Sequence, residues 1–215
     1  MKKLLITLCS ILSLFISGCT QKLPPITLPA GTICAPYSAT AGGVGVPLPT
    51  APTTAGSVTV SGLPTGLSFA PYAISGTPAP TSFGTWPVTA SGTYTKAWIQ
   101  WYWSESSSII IAKPGIVPPS SPVIYDPSAP PPSFTLFVTP DCTPGYTITL
   151  TCSDPYINMN GSVSKTTVMT DGSGTSTSCE VTSPGHTTER TFTIVATITS
   201  DNGTTVTTNI PGEVK

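Results

Sequence analysis

The sequence predicts an all-β protein: two β-sandwiches joined by a proline-rich linker, behind an apolar N-terminal segment that is cut away. Charged residues make up only 8% of the chain, against roughly a quarter in ordinary globular proteins, while 25 prolines and 19 glycines interrupt a background rich in serine and threonine. Such a composition leaves little room for helices. Short apolar segments alternate with period two, as half-buried strands do, and they fall into two blocks on either side of PGIVPPSSPVIYDPSAPPP, where eight of nineteen residues are proline.

At the N-terminus, Lys2 and Lys3 precede an apolar run from Leu4 to Ile16, which is short of the about twenty residues a spanning helix needs. The run ends in Ile16-Ser17-Gly18-Cys19. This resembles the lipobox of bacterial lipoproteins, in which a hydrophobic residue and two small ones precede a cysteine that is lipidated. The resemblance implies that residues 1–18 are a signal peptide and that Cys19 is the acylated first residue of the mature chain. Several fatty chains there would hold far more firmly than a single myristoyl chain. An Asp after the cysteine favours inner-membrane retention in enteric bacteria. Thr20 occupies that place, so for a Gram-negative host the resemblance implies the outer membrane or the cell surface. An ordinary secretory signal or an uncut anchor is the plainer alternative. Residues 19–32 then read as a lipidated tether that its prolines keep extended.

Beyond Cys19 the chain carries six basic and nine acidic side chains, a net charge of about −3, and no basic run. Nucleic acid and anionic headgroups, which need clustered Lys or Arg, are therefore not expected partners.

The first unit, residues 33–113, holds the strand candidates SVTVSGL, LSFAPYAISG, TWPVTASG and SSIIIAK. Its segments GTICAPYSATAGG, SGLPTGLSF and AISGTPAPTSFGTWPVTASG resemble, in order and spacing, the immunoglobulin-like, cadherin-like repeat of large bacterial surface proteins. The match lies on Gly62 to Leu67, Ile74 to Pro78 and Gly84 to Trp86. It implies an immunoglobulin-like sandwich and a role in adhesion or extracellular assembly, and some relatives of this kind bind calcium. Leu63, Leu67, Phe69 and Ile74 are the expected core. No carboxylate cluster supplies the six to eight oxygens that Ca²⁺ takes; Asp171-Gly-Ser-Gly and Asp201-Asn-Gly read as turns, and no metal or cofactor is expected.

The linker, residues 114–132, favours polyproline II and at about 3.1 Å per residue could hold two domains up to roughly 60 Å apart. The alternative is that Val123-Ile124-Tyr125 packs as an edge strand. The second unit, residues 133–215, has six strand candidates, FTLFV, YTITLTC, SVSKTTVM, SCEVTS, RTFTIVATITS and TTVTTNI, as an immunoglobulin-like sandwich would. Phe192, Ile194, Ala196 and Ile198 share one face. Asn202-Gly203 is the strongest hairpin signal, a type I′ turn with positive φ at both central residues; Asn160-Gly161 and Asp171-Gly172 are weaker versions.

Four cysteines follow Cys19 in what would be an oxidising compartment. Cys152 continues the apolar face of Tyr146, Ile148 and Leu150, and Cys179 lies with Val181, so a Cys152–Cys179 bridge is the expected disulfide. Cys142 with Cys152 competes with it. Cys34 and Cys142 would otherwise pair between domains, join separate chains or stay free. With one histidine and no CxxC, zinc is not expected.

The segment GTYTKAWIQWYWSESS is an insertion relative to the repeat. In strand geometry Trp98, Gln100 and Tyr102 point one way, and Ile99, Trp101 and Trp103 the other. If one face is core, the other presents aromatic rings, which makes Trp98, Trp101, Tyr102 and Trp103 the candidate binding surface. The competing reading buries both faces.

His186 lacks a nucleophile context such as GxSxG, phosphate-cradling loops are absent, and no enzyme is expected. Two readings remain. One is a membrane-anchored, non-catalytic binding or adhesion module for a glycan or protein. The other is a structural subunit of an envelope or extracellular assembly that self-associates through strand edges poor in blocking lysines.

Overall fold

The computed structural model describes residues 19–20, 27–40, 54–70, 73–96 and 99–215. The signal segment 1–18, tether residues 21–26, the side chain of Cys19 and the whole of Trp98 lie outside the described residues.

The first sandwich comprises β1 (Cys19–Thr20), β2 (Gly31–Thr32), β3 (Tyr37–Thr40), β4 (Thr54–Ser61), β5 (Leu67–Ala70), β6 (Ala73–Gly76), β7 (Gly84–Lys96) and β8 (Ile99–Ala112). One sheet runs β4-β7-β8, with β1 and β2 both paired in parallel to β8; the facing sheet is β5-β6-β3. Alternation along β8 sets its two faces. Trp103, Ile109 and Ile111 join Val88, Ala90 and Ile74 in the core, while Ser104, Ser106, Ser108 and Ile110 face out. Leu63, Leu67 and Phe69 pack half-buried against that core. The aromatic insertion prolongs the last two strands into a single hairpin, paired without a break from Gly84↔Ile111 to Lys96↔Ile99.

The second sandwich comprises β9 (Gly115–Val117), β10 (Val123–Tyr125), β11 (Ser133–Phe134), β12 (Phe137–Thr139), β13 (Thr147–Cys152), β14 (Asn158–Met159), β15 (Ser162–Val163), β16 (Lys165–Met169), β17 (Cys179–Thr182), β18 (Arg190–Thr199) and β19 (Thr205–Val214). Its sheets are β10-β19-β18-β13-β16 and β11-β17-β14-β15, with β9 pairing β12. All six strand candidates of this unit form strands. Phe192, Ile194, Ala196 and Ile198 are at most 4% exposed.

The proline-rich segment does not cross open solvent. Gly115–Val117 pairs antiparallel with Phe137–Thr139, and Val123–Tyr125 runs parallel to Gly212–Val214 with Val123 buried. Here the edge-strand alternative describes the chain. Pro118, Pro119 and Pro122 fall between the paired stretches, where no ladder N–H is required.

The type I′ turn forms at Asn160-Gly161, φ 48° and 75°, closing Met159 onto Ser162. At Asn202-Gly203 only the glycine has positive φ, 82°, and the connection is the longer loop Ser200–Thr204 between Thr199 and Thr205. The reason is tertiary, because this loop is the joint between the two sandwiches. Ser200 Oγ donates to the carbonyls of Thr81 (2.8 Å) and Phe83 (2.7 Å), and Asp201 N–H also reaches Thr81 O. Asp201 Oδ2 accepts the hydroxyls of Thr65 (2.9 Å) and Thr81 (3.0 Å), and Asn202 Nδ2 donates to Thr85 O. One buried cluster runs through both units.

A disulfide closes the same joint, and it corrects the expected pairing. Cys34 is bonded to Cys142 across 108 residues, with Cα atoms 5.5 Å apart, whereas Cys152 and Cys179 are free thiols. Sharing an inward face gives two cysteines a common direction but not a common level along the sandwich. Cys152 lies two residues from Asp154 and Cys179 four residues from Ser183, and both of those residues bind Arg190. At about 3.3 Å per residue the two thiols are therefore offset along their strands, and a bridge needs Cα atoms within about 7 Å.

Candidate functional site at the two ends of the molecule

The joint gives the chain two far ends. Strand β18 runs from Arg190 to the joint at Ser200, and β7 runs from the joint at Gly84 out to Lys96. At about 3.3 Å per residue these reaches are about 33 Å and about 40 Å. One end is the tip of the β7–β8 hairpin; the other is the outer end of the second sandwich.

The hairpin tip divides the expected aromatic surface. Trp103 is buried in the core at 4% exposure, Trp101 is half-buried on the same inward face, and Tyr102 stands on the opposite face, 49% exposed. Its hydroxyl lies 3.4 Å from Gln100 Oε1, also on the outer face. Trp101, Tyr102 and Trp103 therefore do not form one platform, because period-two alternation sends neighbours to opposite sides and the sandwich claims one of them. Cys19 and Thr20 pair with Trp101 and Tyr102, so the residue expected to carry lipid lies beside this tip.

The outer end is built around Arg190, the only arginine in the sequence. Its Nε binds Asp154 Oδ2, one terminal nitrogen donates to Ser183 Oγ (2.6 Å), and the other reaches the carbonyls of His186 (3.3 Å) and Thr188 (3.1 Å). These four contacts hold the loop between β17 and β18 against the end of β13. Asp154 Oδ1 takes the Tyr156 N–H at 2.8 Å. Burial pushes the Asp154 carboxyl up, but the Tyr156 N–H and the Arg190 guanidinium outweigh it and hold it below the ordinary carboxylate range.

The pinned loop lays His186 on Tyr156, ring centroids 3.8 Å apart and planes 28° from parallel, with the guanidinium 5.8 Å from the Tyr156 centroid. Tyr156 is 50% exposed and His186 is exposed. The result is an immobilised aromatic ledge at a free end of the molecule. A cleft of about 470 Å³ opens beside it, lined by Glu189, Arg190, Thr191, Glu213, Val214 and Lys215. Ser183 Oγ donates to the backbone carbonyl of His186, so this serine and histidine are joined through loop geometry rather than as a nucleophile and base.

Sequence reasoning weighed His186 only as a catalytic group and missed Tyr156. The available signal was a lone arginine, since a single guanidinium in so uncharged a chain has a specific set of acceptors to satisfy. The two carboxylates read as turns act locally or at the joint. Asp171 Oδ1 accepts Ser173 N–H, Ser173 Oγ and Thr175 N–H, and Asp201 serves Thr65 and Thr81. Among the described residues no group of three or more His, Cys, Asp or Glu side chains is placed to hold a metal ion.

No family model matches the sequence, and no curated protein matches it. Several solved structures share parts of its outline. One is an endo-fucoidan hydrolase of glycoside hydrolase family 107, at 14% identity and a TM-score of 0.30, over 90% of this chain and 28% of that one. Another is the I67–I69 fragment of the titin I-band, at 9% identity and a TM-score of 0.31, over 89% of this chain and 64% of that one. A third is a SusE-like surface-located polysaccharide-binding protein from the heparin utilisation locus of Bacteroides thetaiotaomicron, at 10% identity and a TM-score of 0.26, over 86% of this chain and 32% of that one. The chain spans under a third of the fucoidan hydrolase. At these scores none of the three bears on what the chain does, and the all-β sandwich assignment rests on its own sheets and core.

Proposed function

We propose that this chain is a non-catalytic binding module, lipid-anchored through Cys19 at a cell surface, that meets a glycan or protein partner at the Tyr156–His186 ledge. The observation that carries the reading is the opposition of the two ends. Cys19 pairs with Trp101 at the hairpin end of the first sandwich, and the exposed Tyr156–His186 pair stands at the end of the second sandwich away from the joint. Flat aromatic surfaces suit sugar rings and protein hot spots alike, and pre-ordering the ledge through Arg190 removes part of the entropy cost of binding.

The test uses the mature chain with Cys19→Ala, presented to a panel of surface polysaccharides and outer-envelope extracts. Tyr156→Ala and His186→Ala should each weaken any captured ligand at least tenfold while leaving the melting temperature within a few degrees. Unchanged binding in both variants would remove the ledge from the reading.

The open edge at β15 and β16 favours the second reading, a structural subunit. Val163 and Met169 are 59% and 55% exposed there, and β16 has β13 on one side only. The native mass of detergent-extracted protein separates the two: a monomer supports the binding module, and a large assembly that Val163→Lys with Met169→Lys dissolves supports strand addition.

A further inference from the structure

The cleft beside the Tyr156–His186 ledge carries charge that the surrounding strands do not neutralise. Strands β18 and β19 pair Thr191 with Glu213 and Arg190 with Val214, and period-two alternation turns Thr191 and Glu213 outward while Val214 is buried. Glu189 and Lys215 follow at the strand ends, both exposed. These six residues line the cleft of about 470 Å³. Ile124, 39% exposed, stands beside Glu213 in the parallel register of β10.

At this end Asp126, Asp154, Glu189 and Glu213 meet only two cations, Arg190 and Lys215. Arg190 is paired with Asp154. Asp126, held below the ordinary carboxylate range first by the Ser128 hydroxyl and N–H, also feels the Lys215 charge. Glu189 and Glu213 are left over. Among the described residues neither carboxylate has an ion-pair or hydrogen-bond partner, and Glu213 is half-buried. A carboxylate partly withdrawn from water gains more from an incoming cation than a fully solvated one does, and an anion entering the cleft meets like charge. The aromatic pair is within reach of the same ligand because Arg190 belongs to both parts: it lines the cleft, and its guanidinium is 5.8 Å from the Tyr156 ring centroid. The exposed, stacked rings suit the flat face of a pyranose, and an ammonium group on such a ring is drawn to carboxylates and to aromatic faces alike.

We propose that the ledge and the cleft together take a glycan bearing free amino groups, its rings lying along Tyr156 and His186 and an ammonium group set between Glu189 and Glu213. This rests on the binding-module reading and narrows its partner to a cationic glycan, with anionic glycans turned away by the two glutamates. The test is a calorimetric titration of the mature chain with Cys19→Ala by two probes of equal length, the hexamer of glucosamine and the hexamer of N-acetylglucosamine. Both are run at about pH 6, where glutamates are ionised and the glucosamine amines protonated.

The glucosamine hexamer is expected to bind about fivefold tighter or more, the size that two exposed ion pairs give. Glu189→Gln with Glu213→Gln should abolish that preference, and Tyr156→Ala should weaken both hexamers. Equal affinities, or a preference for the N-acetylated hexamer, overturn the proposal; where Tyr156→Ala still weakens binding, the ledge itself stands. A glucosamine preference that the double Gln variant removes but Tyr156→Ala leaves untouched sustains ammonium recognition and overturns the ledge. Hexalysine bound as tightly as the glucosamine hexamer overturns the glycan as partner. Binding of neither hexamer overturns the proposal, and the polysaccharide panel then judges the ledge alone. Should the double variant fail to fold, raising salt from about 0.05 M to about 0.5 M on the chain with both glutamates intact reads the same pair: the preference must shrink, and an undiminished preference overturns it.

Discussion

Cys34 and Cys142, one from each sandwich, are bonded to each other at the seam where Ser200 and Asp201 enter the loops of the first unit. Beside the bridge, the Tyr146 hydroxyl donates to Pro140 O at 2.8 Å and lies 3.0 Å from Cys142 Sγ. Covalent and hydrogen-bonded links thus converge on one joint, and the two sandwiches are expected to melt as one unit while that joint is intact.

Breaking the bridge should release the joint. The disulfide closes a span of 108 residues in the unfolded chain, which on loop-entropy grounds stabilises the fold by about 4 to 5 kcal/mol. Reduction, or Cys34→Ser with Cys142→Ser, should lower the melting temperature by many degrees in calorimetry and split the single transition in two. An unaltered melt would show that the bridge does not form.

The free thiols should differ in reactivity. Cys179 is 1% exposed, and burial, with the nearby Glu180 charge, pushes its thiol up to about 11, whereas Cys152 is only half-buried. Iodoacetamide at pH 8 on native protein should label Cys152 first and reach Cys179 only on unfolding. Peptide mapping that finds Cys179 labelled first, or the two linked, would contradict this arrangement.

Removing polar groups from the joint should have a graded effect. Ser200→Ala deletes a hydroxyl that serves two carbonyls and is expected to cost about 1 to 2 kcal/mol; Asp201→Ala, more exposed, about 1 kcal/mol. Denaturant melts of the oxidised protein would read both. A larger loss for Asp201→Ala than for Ser200→Ala would mean that the buried carbonyls of Thr81 and Phe83 find other donors.

Acid should loosen the outer end first. The folded-state Asp154 carboxyl sits below its unfolded value, so its contribution is fully present above about pH 4 and is lost as pH falls through the folded value. Asp154→Asn should therefore flatten part of the stability loss below pH 4 and free the His186 ring from Tyr156, which NMR of the imidazole would report. Arg190→Ala should cost about 1.5 to 3 kcal/mol by stranding Asp154 and the loop carbonyls. An acid limb identical in Asp154→Asn and wild type would show that the ion pair does not form.

Strand positions in the second sandwich were legible from alternation alone, because a face turned to the core must be apolar every second residue. RTFTIVATITS buried the four side chains its pattern singled out. The hairpin signals were legible as turns but not as turn types. Asn160-Gly161, tied only within its own sheet to Glu180 of the adjacent β17, takes the type I′ form, whereas Asn202-Gly203 is drawn into a longer loop by the acceptors of the first unit.

By itself the sequence determined that the chain is all-β and which side chains of the second sandwich's long strand face the core, since each of these is written in residues close together along the chain. Only the tertiary structure decided which cysteines meet, that the proline-rich segment lies along the second sandwich, that Trp103 turns inward while Tyr102 faces out, and that Tyr156, His186 and Arg190 assemble at one end. Those depend on the level at which distant strands pack. Period-two alternation fixes the direction of a side chain but carries no information about what stands opposite it.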